Sequence, residues 1–263
     1  MGMKIAVSGK GGVGKTTVAG AIARYWAMKG KRVLAVDADP VNHLADVLGI
    51  PEDRRPEPLS SMSELIEERT GVAPGMSFGK LFRMNPKVDD IPSRYSVESP
   101  SGARLLVLGT IDLAGSGCFC PESALLRTLI DHLVLMSDDY LVVDMEAGLE
   151  HLGRGSSRGI DLLLIVVEPG HRSIDTAVKI RALADGIGIQ RVKVIMNKVD
   201  SGRAAEQVSG MLSESGLETI GCVPRDPLLE EADLKGISPF SIAEHSPAID
   251  ALSKIADDVL IID

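Results

Sequence analysis

Short apolar runs, rich in β-branched residues, recur along the chain at 4–8, 32–37, 104–108, 140–144, 161–167, 192–197 and 219–223. Each predicts a buried strand. Between most of them lie helix-length segments whose apolar positions repeat every three to four residues: 15–28, 122–136, 173–187 and 203–215. Strand and helix in alternation predict an α/β fold, a doubly wound and mainly parallel sheet flanked by helices. The runs LLLIVV and LVV lack in-out alternation, as strands covered by helices on both faces should. A last helix is expected from 247 onward.

Residues 51–100 break the rhythm with seven prolines and a single good helix candidate at 63–69, where Ser61 and Glu64 are spaced as a capping box. We read 1–263 as one domain carrying this stretch as an insertion. So long a loop without structure is unusual, so the insertion is expected either to be ordered by a partner subunit or to cover the site.

Composition narrows the partners. Lys and Arg number 28 against 37 Asp and Glu, a formal charge of -9, which leaves no diffuse basic face for a phosphate backbone; nucleic acid is not expected. No window has the uninterrupted apolar length of a membrane span, and the final segment AIDALSKIADDVLIID is too acidic for a membrane-surface helix, so no membrane partner is expected either. The N-terminus runs straight into MKIAVS, unlike a secretory signal, and Ala6 stands where myristoylation needs Ser or Thr. A cytoplasmic protein is expected.

The first strand leads directly into Gly9-Lys10-Gly11-Gly12-Val13-Gly14-Lys15-Thr16-Thr17, a match to G-x-x-x-x-G-K-[ST] in its strand-to-helix setting. Glycines let successive amides and the helix N-terminus approach phosphates, Lys15 serves the β- and γ-phosphates, and Thr16 offers a hydroxyl to Mg²⁺. Gly11 to Thr17 are therefore candidate nucleotide ligands. Asp37 and Asp39 end the second strand and Asp144 ends YLVVD, at the sheet edge where ligands of open α/β folds bind. Asp144 is the expected Mg²⁺ carboxylate, and Gly148 completes a D-x-x-x-G switch whose amide can sense a γ-phosphate. The sequence Asn197-Lys198-Val199-Asp200 spells the N-K-x-D of guanine readers, so ATP and GTP both stand open on motifs alone.

The loop GKGGVGKTT resembles the deviant Walker A loop of the MinD/ParA ATPases. That resemblance implies a nucleotide-sandwich homodimer in which Lys10 reaches the partner's nucleotide, with Asp37 holding Mg²⁺ through water and Asp39 positioning the attacking water. It also favours ATP, hydrolysed to ADP and phosphate, with Asn197 reading the adenine edge and Pro224-Arg225-Asp226 packing on the ring.

Cys118 and Cys120, in GSGCFCP, precede the helix at 122, where a helix N-terminus should lower thiol pKa and favour thiolates. Two thiolates do not complete a tetrahedral site, but a symmetric dimer presents four. Such a soft site suits Zn²⁺, Ni²⁺, Cu(I) or an iron-sulfur cluster. A redox pair and inert packing are the competing readings. Cys222, inside TIGCV, reads as core, as do Met28, Met136 and Met196. His43, Glu150 and His151 are weaker candidates to face a partner or metal, and His132, His171 and His245 lack metal-type spacing.

Taken together, the loop, the DAD pair, GSGCFC, the segment DMEAGLEH and the insertion with its ELIEERTG and NPKVD resemble the CooC nickel-inserting ATPases along nearly the whole chain. This implies a dimeric metallochaperone whose Cys118 and Cys120 from each chain bind Ni²⁺ or Zn²⁺, with carbon monoxide dehydrogenase or acetyl-CoA synthase as client. An iron-sulfur carrier ATPase and a MinD/ParA-type positioning ATPase are the alternatives.

Overall fold

The computed structural model describes residues 2–39, 43–75, 81–109, 120–149, 152, 159–243 and 245–262. Among the described residues eight strands form one sheet: β1 (Lys4–Gly9), β2 (Val33–Asp37), β3 (Val97–Glu98), β4 (Arg104–Val107), β5 (Tyr140–Asp144), β6 (Leu162–Val167), β7 (Val192–Val199) and β8 (Glu218–Pro224), in the order β3-β4-β2-β5-β1-β6-β7-β8. All neighbours are parallel except β3, which pairs antiparallel with β4. That two-residue strand is too short to leave a pattern in the sequence. The helices are α1 (Lys15–Met28), α2 (Leu44–Val47), α3 (Ser63–Thr70), α4 (Ile91–Tyr95), α5 (Pro121–Met136), α6 (His171–Ile187), α7 (Gly202–Glu214), α8 (Pro227–Lys235), α9 (Pro239–Ile242) and α10 (Pro247–Leu260).

Alternate residues of each central strand feed two separate cores. Ile5 and Val7 face α1, α2 and α10, while Ala6 faces α3 to α7. Strands β1, β2 and β6 are buried along their whole length, as their continuous apolar runs require. On the first face Trp26 is fully buried, donates its indole N–H to the Ala256 carbonyl at 2.8 Å and sits edge-on to Tyr140. It ties the helix that follows the phosphate loop to the last helix, which Ser246 caps through the Ile249 amide.

Several expectations are corrected. The edge strand β8 is only partly covered, and Cys222 on it is exposed instead of core, because no strand flanks that side. Met28 and Met136 are 59% and 72% exposed, since they close the last turns of α1 and α5 beyond the sheet; Met196 is buried as expected. Ser61 does not cap α3. Its hydroxyl turns back to the Pro58 carbonyl at 2.7 Å, and Met62 holds the cap position with no side-chain bond.

The insertion is ordered by the chain's own core. Leu59, Ile66, Val88 and Ile91 are buried in the cluster that includes Leu125 and Leu129 of α5, and the Ser60 amide bonds the Leu108 carbonyl at 3.0 Å. Its buried apolar residues pack in the cluster with α5, and none of its described residues lines the main cavity. Neither the partner subunit nor the lid role is needed to explain its order.

Candidate functional site

At the carboxyl edge of the sheet, a cavity of about 1000 Å³ opens between the loop after β1, the ends of β5 and β7, and α8. Gly12 and Gly14 adopt φ of 81° and 91°, conformations that side chains rarely take, and these bends turn the loop around the cavity. A Cβ on Gly14 would also lie 2.2 Å from Asn197 Nδ2, so only glycine fits there. No side chain caps α1, whose first amides therefore stay available to an anion, and its first turn holds no acidic residue.

Lys15 is buried, and its ammonium sits 3.7 Å from an Asp39 carboxylate oxygen. Asp37 and Asp144 are register partners on β2 and β5, both fully buried. Asp37 has work within the fold: its two oxygens accept the Asp39 amide at 3.2 Å and the Leu44 amide at 3.1 Å, shaping the loop and starting α2. Burial first, and then the neighbouring Asp144 charge, push its carboxyl up to about 8. Asp144 differs. Among the described residues, neither of its buried oxygens has a hydrogen-bond partner of ordinary geometry. Burial raises it to about 7, with Thr16 and Lys15 pulling the other way. A buried, unpartnered carboxylate beside a threonine hydroxyl is what a Mg²⁺ site with phosphate and water ligands would use.

Gly11, Gly12, Gly14, Lys15, Thr16, Thr17, Asp39, Gly148, Asn197, Pro224, Arg225 and Asp226, all expected at a nucleotide site, line this one cavity. Val13 lies beneath the loop with a buried side chain, while Lys10, Asp37 and Asp144 lie outside the described lining. Asn197 is tied to the loop as well as facing the cavity, its amide donating to the Val13 carbonyl at 2.8 Å. Asp226 is also structural. It caps α8 through the Leu228 amide at 2.9 Å and reaches the Ala248 amide of α10 at 3.4 Å. Burial would raise its carboxyl, but the Ser246 hydroxyl and these two amides outweigh it and hold the group below the usual range.

Sequence reasoning missed four charged wall positions. Lys198 has a φ of 56° and donates to the Gly12 carbonyl at 2.6 Å, bracing the loop; the N-K-x-D motif was its signal. Glu230 and Asp233 project one turn apart from α8, and Glu146 follows the β5 carboxylate, its carbonyl accepting the Ser8 hydroxyl at 2.6 Å. His43 lines the cavity too.

Of the cysteine pair, Cys118 lies outside the described residues, as do Glu150 and His151. Cys120 is the residue before the first turn of α5, its sulfur 3.0 Å from the Ser123 hydroxyl. The expected drop in thiol pKa is not seen here. Burial pushes the Cys120 thiol up and the Glu122 carboxylate adds to it, against a smaller opposing effect of Ser123. Among the described residues no group of three or more His, Cys, Asp or Glu is placed to hold a metal ion, and no helix is long and apolar enough to cross a membrane.

The family model of the CobQ/CobB/MinD/ParA nucleotide binding domain matches residues 4–240. The chain is 43% identical over 244 residues to the carbon monoxide dehydrogenase accessory protein CooC of Rhodospirillum rubrum, across 92% of this chain and 90% of that protein. It is also 43% identical to an uncharacterized ATP-binding protein of Methanocaldococcus jannaschii, across 98% of each. Among solved structures, a chain of the MinC:MinD cell division protein complex of Aquifex aeolicus aligns with a TM-score of 0.71 at 24% identity, covering 99% of this chain and 96% of that one. MinD of Pyrococcus horikoshii complexed with Mg-ADP gives 0.68 at 20% identity, covering 98% and 96%. These two likenesses are of fold.

Proposed function

Because the chain belongs to the CobQ/CobB/MinD/ParA family of nucleotide-binding domains, and is thus a P-loop ATPase of the MinD/ParA type, we propose that its hydrolysis of ATP drives nickel insertion into carbon monoxide dehydrogenase or a related nickel enzyme. The observation that carries this reading is the 43% identity, over 92% of the chain, to a carbon monoxide dehydrogenase accessory protein.

The triphosphate lies along the loop, its charge met by the α1 amides and Lys15. Thr16 and Asp144, with Asp37 beside Asp144 on the neighbouring strand, would hold Mg²⁺, which would supply charge neutralisation for phosphoryl transfer. Lys15 and Asp39 form a pair in the free protein. The Lys15 ammonium serves the phosphates, and the Asp39 carboxylate orients the attacking water. Lys10, the second residue of the loop, reaches the nucleotide of a second subunit.

Nickel is the cargo, taken by Cys118 and Cys120 of two chains, four thiolates in all. Helix α5 starts at the cysteine pair and runs into β5, which ends at Asp144 and continues into the Gly148 switch. One continuous segment therefore joins cargo thiols to phosphate sensor. Coupling is reciprocal at equilibrium: whatever nucleotide does to nickel affinity, nickel does to nucleotide affinity.

Anaerobic elemental analysis with size-exclusion mass, on wild type and Cys118→Ala/Cys120→Ala loaded with Ni²⁺ or Zn²⁺ and with ADP or ATP, tests the proposal. Metal bound per dimer, absent from the double variant and shifted by nucleotide, is expected. Iron with sulfide would instead make the protein a cluster carrier, and no metal in any state would leave an ATPase of other cargo.

A further inference from the structure

The N-K-x-D sequence is not used in this chain as its residues would suggest. In a guanine site the aspartate accepts from the base's N1–H and exocyclic N2 amine, two donors that match a carboxylate's two oxygens. Asp200 does not line the cavity; its carboxylate accepts the Arg225 Nε–H at 2.8 Å. The same guanidinium gives another N–H to Glu230 at 2.7 Å, and the Arg225 backbone amide bonds the Val199 carbonyl at 3.1 Å. The Arg225 guanidinium, about half exposed, thus pairs with two exposed carboxylates, and the residue belongs to the cavity wall.

Asn197 supplies the complementary half. With one N–H committed to the Val13 carbonyl, its amide keeps a carbonyl oxygen and one N–H for the base. That acceptor and donor suit adenine, which presents the N6 amine beside N7; guanine presents O6 there, acceptor against acceptor. Guanine would therefore need Asp200 to offset the mismatch, and Asp200 is engaged.

We infer that Arg225 is the specificity-determining residue for the base, excluding GTP by holding Asp200 away from a cavity in which Asn197 already favours adenine. The inference rests on reading this cavity as the nucleotide site.

The test is the ratio of dissociation constants for the magnesium complexes of the non-hydrolysable analogues AMPPNP and GMPPNP, measured by calorimetry on wild type, Asp200→Asn, Arg225→Gln and Arg225→Gln/Asp200→Asn. Arg225→Ala serves as a second release variant, and thermal melts establish that each is folded. Wild type should prefer the adenine analogue, and Asp200→Asn alone should leave the ratio within about twofold, because Asp200 does not touch base. Releasing Asp200 in Arg225→Gln should narrow the preference at least about fivefold, mainly through tighter GMPPNP binding, and the double variant should restore the wild-type ratio. An unchanged ratio in both Arg225 variants, or a shift caused by Asp200→Asn alone, overturns the inference. Wild type that binds neither analogue overturns the nucleotide reading itself, a result distinct from an unchanged ratio.

Discussion

Asp144→Asn should stabilise the nucleotide-free protein while disabling it. The wild-type carboxylate is fully buried with no hydrogen bond of ordinary geometry among the described residues, and burial raises it to about 7 against the pull of Thr16 and Lys15. An unfolded aspartate titrates near 4, so at pH 8 charging this group costs the native state up to about 4 kcal/mol relative to the unfolded chain. The sign follows from linkage. A carboxyl raised by folding carries no penalty below about pH 4, an increasing one up to its folded value, and a constant one above it. At pH 5.5 about 2 kcal/mol of the penalty is therefore gone. An asparagine amide buried there without full hydrogen bonding costs about 1–3 kcal/mol of its own at every pH. The expected net gain at pH 8 is on the order of 1–3 kcal/mol, shrinking by about 2 kcal/mol at pH 5.5. Urea unfolding in EDTA, without nucleotide, at both pH values measures it. Adding Mg-ADP should raise the wild-type midpoint and leave the variant's almost unmoved, because the magnesium ligand is gone. A variant no more stable than wild type at pH 8, or a gain equal at both pH values, would refute the argument that Asp144 is a charge awaiting a cation.

Gly14→Ala should abolish nucleotide binding and lower stability by about 1–3 kcal/mol, since it meets both a positive φ and the Asn197 amide; calorimetry and urea melts read the two effects. Asp226→Ala should destabilise by about 1–2 kcal/mol at pH 7, with the difference vanishing below about pH 4, because a carboxyl lowered by folding contributes above its unfolded value and loses that contribution as pH falls through its folded one. Cys222→Ser, at an exposed edge, should change stability by less than about 0.5 kcal/mol and leave metal content intact, whereas Cys120→Ser should remove the metal. A fall in metal content on Cys222→Ser would relocate the cargo site.

The sheet and the phosphate loop were legible because both are written locally. Unbroken apolar runs mark strands buried on two faces, and the loop glycines stand at fixed spacing after the first of them. Readings failed where a neighbour far along the chain decides the outcome. Cys222 looks like core within TIGCV, but its strand has no partner on one side. The insertion reads as ordered by a partner subunit or covering the site, yet Leu59 and Ile91 are spaced too widely to show that they share one cluster with α5. Asp226 and Asn197 were found as cavity residues, but their second duties, capping two helices and bracing the loop, depend on contacts with Ala248 and Val13 that no local pattern encodes.

Trp26 has a practical use. It is the chain's single tryptophan, sealed between α1 and α10, about 16 Å along the helix from Lys15. Intrinsic fluorescence excited at the indole therefore comes from one known place. A red shift reports separation of the first and last helices, so it signals loss of the scaffold behind the phosphate loop and not events at the mouth of the cavity. Nucleotide binding followed by this signal should leave the emission maximum where it stands, and any ligand that moves it acts through the body of α1.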